Sequence, residues 1–112
     1  MNRTIFLSGS ISADPDYIKK FEKWEKYWKS RNYTVYNPVK ECQHIVDRAI
    51  IHSWSEEKLW LTSMVQCINI ITNKVDNVFF ISDWKISEGA TGENYIANLL
   101  RKNIIHESEL SD

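Results

Sequence analysis

The sequence predicts an α/β fold, a single domain in which a parallel sheet is covered by helices. Short apolar runs rich in β-branched and aromatic residues alternate with longer stretches at helical spacing. No hairpin turn signal joins two of those runs, so consecutive strands are connected through helices and lie parallel. The length, 112 residues, suffices for one core but not for two. Hydrophobic residues make up 43% and charged residues 26%, close to the usual balance of a chain that folds.

Each element follows from local chemistry. TIFLS, residues 4–8, forms the first strand and stops at Gly9. Asp14 as N-cap and Pro15 as first helical residue then open an amphipathic helix. Its inward face runs through Ile18, Phe21, Trp24 or Glu25, and Trp28, and its lysines and glutamates form a solvated face. YTVYNP, residues 33–38, is a second strand closed by Pro38, which has no N–H to give a ladder. Residues 39–55 show no clear period, and one irregular or helical turn is expected there. Ser55 caps a second long helix, followed by acidic residues, with Leu59, Met64 or Ile68, and Ile71 on one side. DNVFFISDW, residues 76–84, is a third strand, apolar enough to be covered on both faces. A third helix begins near Thr91 with Ile96, Leu99 and Leu100 inward. Residues 104–106 make a last strand before a polar tail, 107–112, expected to fray.

Charge and composition narrow the function. A net charge of −1 gives no broad basic field, which disfavours binding to a nucleic-acid polymer. The apolar start is cut at Ser8, too short for a signal or a membrane span, so a cytoplasmic protein without membrane contact is expected. Cys42 and Cys67 stand far apart in the sequence, in neither a close metal pair nor a C-x-x-C motif, and read as free thiols. His44, His52 and His106 lack metal-ligand spacing, so neither a metal nor a cofactor is expected.

In a parallel sheet ligands bind outside the carboxyl ends of the strands, where the connections diverge to opposite faces. That rule selects residues 8–14, 36–38 and 82–93. Ser8, Gly9, Ser10 and Ser12 combine hydroxyls with a close backbone approach, which suits either an anion or an ordinary helix cap. Tyr36 and Asn37 end the second strand at the same place. Trp84 ends the third, where it either stacks on a base or packs in the core. Glu93 falls in the first turn of the third helix. There it either neutralises the helix dipole or, kept ionised by it, serves as a carboxylate nucleophile.

Taken together, IFLSGSIS, YTVYNP, DNVFFISDWKISEGATGENYIA and the closing NII resemble the nucleoside 2-deoxyribosyltransferase superfamily. They most resemble its small DUF4406-like branch of uncharacterised, often phage-borne proteins. The superfamily includes the 2′-deoxynucleoside 5′-monophosphate N-glycosidases. The resemblance spans nearly the whole chain and is weakest over residues 39–62. It implies a flavodoxin-like, Rossmann-like three-layer sandwich with a four- to five-stranded parallel sheet, and a homodimer or higher homo-oligomer whose partner subunit completes the site. It further implies a nucleotide or nucleoside substrate cleaved between deoxyribose and base. Glu93 matches the nucleophile that attacks C1′, and Ser87, Gly89 and Ala90 belong to the same S-x-G-A-x-x-E stretch. Ser87 and Ser10 match serines that bind a 5′-phosphate. The chain departs from the pattern where an acid on the long helix handles the base proton, since Cys67 and Ile68 stand there. Water, Asp83 or Glu88 remains to supply that proton, or the protein binds a nucleotide without turning it over.

Overall fold

The computed structural model describes residues 3–110. Four strands, β1 (Thr4–Ser8), β2 (Thr34–Tyr36), β3 (Asn77–Phe80) and β4 (Asn103–His106), form one all-parallel sheet in the order β2-β1-β3-β4. The α/β class, the parallel pairing and the single layer of strands match expectation, with four strands at the lower end of the expected number.

Period-two alternation along the strands divides the core into two layers. Ile5, Leu7, Phe79 and Ile81 face α1 (Tyr17–Lys29), meeting Phe21, Trp24 and Trp28. Phe6, Val78 and Phe80 face the other way, against α3 (Gln43–Ile51), α4 (Glu56–Asn73) and α5 (Glu88–Leu99) through Ile45, Ile70, Ile71 and Ala97. All four residues of β3 are buried, as a strand covered on both faces requires. The connections leaving β1 and β3 therefore run to opposite faces, and the switch point lies between the ends of these two neighbouring strands.

Several boundaries differ from the sequence reading, each for a local reason. Asp14 does not cap α1: its Oδ1 accepts the Asp16 N–H at 2.8 Å, building a turn through Pro15 that delays the helix to Tyr17. Ile18 consequently points outward, at 54% exposure. Pro38 does not close β2 but begins α2 (Pro38–Glu41), where its missing N–H costs nothing. The segment expected to hold one turn thus holds two helices, α2 and α3. Ser55 caps α4 as expected, its Oγ accepting the Lys58 N–H. Helix α5 starts three residues earlier than expected, because the Ser87 side chain accepts the Ala90 N–H at 3.1 Å. Ile96 packs on the core as expected, whereas Leu99 and Leu100 point outward and Ala90, Glu93 and Ala97 form the buried stripe. Residues 107–110 are ordered rather than frayed: Glu107 accepts the Ser82 N–H, and Leu110 packs against the α1 layer. Ser111 and Asp112 lie outside the described residues.

Candidate functional site

The switch point is built by two strand exits crossing closely. The Ile81 N–H donates to the Ser8 carbonyl at 2.8 Å, which draws the chain after β3 over the end of β1. A Cβ at Gly9 would stand 3.0 Å from both Ile81 Cβ and Cδ1 and 3.2 Å from Asp83 Oδ1. Glycine is therefore what lets the two loops meet.

Glu93 reaches this point from α5. Its Oε1 accepts the Ser8 hydroxyl at 2.6 Å, with the carboxyl side chain buried and the residue only 6% exposed. It occupies the second turn of α5 rather than the first, which belongs to Glu88. The macrodipole falls off within one turn, so it does not hold Glu93 ionised. Burial instead pushes the carboxyl up to about 7, against the Ser8 hydroxyl and the Cys67 thiol, which both favour the charged form. The helix start expected to support the ionised form is therefore too far away, and burial opposes that form instead.

Cys67, on the inward face of α4, approaches Cys42 at the junction of α2 and α3, with the two sulfurs 3.9 Å apart. Both are free thiols, as expected. Their separation in sequence concealed their contact in space.

The remaining first-loop residues are committed differently. Ser10 is buried; its N–H donates to Asp83 Oδ1 at 3.1 Å and its carbonyl accepts from Lys20 Nζ at 2.7 Å. Lys20 bridges Asp83 and Asp14, and hydrogen bonding to it, together with the Asp16 N–H, lowers the Asp14 carboxyl. Ser12 is exposed and stands apart from this network. Ser87 is spent on the α5 cap, with Gly89 and Ala90 in the first turn behind it.

Trp84 does not end β3 but begins a 3₁₀ turn, Trp84–Ile86. Its ring lies 5.3 Å from Phe80 and 5.6 Å from His106, an aromatic cluster over the ends of β3 and β4. That cluster borders an open groove of about 400 Å³ also lined by Ser82, Lys85 and Glu107. A second groove, about 460 Å³, lies on the α1 side along Lys20, Lys23, Trp24 and Asp83. Glu93, expected to face into the open crevice, is instead buried and on the wall of neither, because its carboxyl turns inward to the Ser8 hydroxyl.

Besides Ser12, the predicted residues Asn37 and Tyr36 do not join the site. Asn37 caps α2 through the Val39 N–H and donates to Glu25 Oε1 at 3.0 Å, so its amide is consumed beneath α1. Tyr36 packs against the α4 layer. Lys20, His106 and the Cys42–Cys67 contact were missed. His106 stands beside Phe80 only through the β3–β4 register, and Cys67 shares a helical stripe with Ile70 and Ile71 that the longer apolar residues obscured.

Among the described residues no helix is long and apolar enough to cross a membrane. No curated protein and no solved structure matches the chain. One family model does, described as "Domain of unknown function (DUF4406)", over residues 3–106. With nearly its whole length matched, the chain belongs to the DUF4406 family.

Proposed function

We propose that this protein cleaves the N-glycosidic bond of a 2′-deoxynucleoside 5′-monophosphate, with Glu93 as the attacking carboxylate. The observation that carries the proposal is the buried Glu93 carboxyl at the switch point, held by Ser8 and brought to about 7. A carboxylate of raised pKa is more nucleophilic than an exposed one, yet still substantially ionised near neutral pH. It attacks C1′, the base leaves with the bonding electron pair and takes a proton from water, and a second water hydrolyses the glycosyl ester. The aromatic faces of Trp84 and His106 suit the base. Lys20, which contacts the Ser10 carbonyl, meets the phosphate by exchanging its ion pairs with Asp83 and Asp14. Because Glu93 is buried, the connection from β3 to α5 must move before C1′ reaches it.

Incubating the protein with a panel of deoxynucleotides and separating the products tests this. Free base is expected from at least one of them, at a rate rising with pH through about 7 as Glu93 ionises, and none is expected from Glu93→Gln. Intact nucleotides throughout, at high protein concentration, overturn it.

A specific observation favours a second reading, nucleotide binding without turnover. Cys67 stands on the long helix where an acid would assist the leaving base, and its thiol is pushed far above its ordinary range by Cys42 and by burial. Strong thermal stabilisation by a nucleotide recovered unchanged would favour binding alone.

A further inference from the structure

Ser8, Glu93, Cys67 and Cys42 form a continuous buried chain that no step of the glycosidic chemistry uses in full. It runs from the Ser8 hydroxyl to the Glu93 carboxyl at 2.6 Å, from that carboxyl to the Cys67 thiol, and from Cys67 Sγ to Cys42 Sγ at 3.9 Å. The two sulfurs are in van der Waals contact. A disulfide requires about 2.0 Å, so closing the bond takes about 2 Å of sulfur movement. Cys42 stands between α2 and α3, its N–H bonded to the Pro38 carbonyl and its own carbonyl to the Ile45 and Val46 N–H groups, so the movement falls to the two side chains.

We infer that Cys42 and Cys67 are a redox-active dithiol that closes reversibly into a disulfide by exchange with a small-molecule disulfide, Glu93 accepting the Cys67 proton. The two thiols are inequivalent, which sets the order of events. Cys42 sits at the element junction and is 8% exposed, against 5% for Cys67 within α4. Cys42, the less buried of the two, is therefore the thiol that an external disulfide reaches first. Its thiolate displaces one half of the small disulfide, forming a mixed disulfide and releasing one thiol molecule that carries the Cys42 proton.

Cys67 then has to lose its proton in the interior. The Glu93 carboxyl, which feels that thiol across the buried interior, is the acceptor at hand. The Cys67 thiolate attacks Cys42 Sγ, the second half of the small disulfide leaves, and the proton held by Glu93 passes to it. Two protein thiols and one small disulfide thus become one protein disulfide and two small thiols. Closure removes the Cys67 S–H from the surroundings of Glu93, so the oxidation state of the pair bears on the switch point. None of this depends on what the crevice binds.

The test uses the folded protein with excess oxidised glutathione, followed by alkylation under denaturing conditions and intact-mass measurement. The expected product is two hydrogens lighter than the reduced chain, resists alkylation at both cysteines, and returns to two free thiols with dithiothreitol. Cys67→Ser should stop at a single glutathione adduct on Cys42. Glu93→Gln should accumulate that same adduct, with ring closure slowed on the order of 10²-fold. Two alkylated cysteines in the treated wild-type protein, or a stable glutathione adduct on it, overturn the dithiol. Unchanged closure in Glu93→Gln overturns the role of Glu93. The wild-type measurement decides the first point even where a variant fails to fold.

Discussion

Two buried glutamates, Glu25 and Glu93, show how surroundings rather than residue type set a carboxyl's behaviour. Burial raises both. At Glu25 the effect is outweighed by Lys29 at 2.6 Å, the Asn37 amide and Lys40 at 3.0 Å, which together hold the carboxyl at about 2. Glu93 has only a hydroxyl and a thiol, so burial wins. A carboxyl depressed in the folded state contributes stability that is complete above its unfolded pKa and is lost as pH falls through the folded value. Glu25→Gln should therefore destabilise the protein at pH 7 by about 2 kcal/mol, discounted because both lysines are largely exposed. The deficit relative to wild type should shrink as pH falls from about 4.5 towards 2. Urea denaturation of both proteins at pH 7 and at about pH 3 checks this, and an equal deficit at the two pH values would contradict it. Neither environment was legible in the sequence, since both depend on side chains brought from other elements. Glu25 fell next to the helical stripe as an alternative to Trp24, and both proved to be buried.

At the scale of elements, the sequence carried existence better than ends. Every predicted strand and long helix is present, because a run such as VFFI or a stripe such as Phe21, Trp24 and Trp28 encodes its own burial. The boundaries moved where one polar side chain chose among competing turns. Asp14 bonds the Asp16 N–H and delays α1, while Ser87 bonds the Ala90 N–H and advances α5. The second shift carries Glu93 from the first helical turn to the second, and with it from dipole control to control by burial. Element packing also explains the first loop: β1 and β3 exit so closely that any side chain at residue 9 must displace Ile81. Gly9→Ala should cost about 1–3 kcal/mol by overpacking and should disturb the bond from the Ser10 N–H to Asp83. Equilibrium denaturation measures the cost, and stability equal to wild type would show that the two exits are not in contact as described.

For the whole molecule, strand and helix alternation was enough to give a parallel sheet, but not which strands are neighbours. The order β2-β1-β3-β4 sets β1 beside β3 across a long separation in sequence, and the switch point follows from that order. This is why Ser8 and Glu93 were legible as separate candidates yet not as a bonded pair, and why Cys42 and Cys67 looked unrelated. It is also why Asn37, at the end of β2, sits outside the crevice: its amide turns towards α1 and Glu25. The topology gathers a hydroxyl, a carboxyl and two thiols at one end of the sheet, and the chemistry proposed for the protein rests on the carboxyl's low exposure there. The most direct measurement is a pH titration of the Glu93 side-chain carboxyl by ¹³C NMR in the reduced protein, assigned by comparison with Glu93→Gln. The account predicts a midpoint at about 7. A midpoint in the ordinary range of an exposed glutamate, near 4.3, would contradict it.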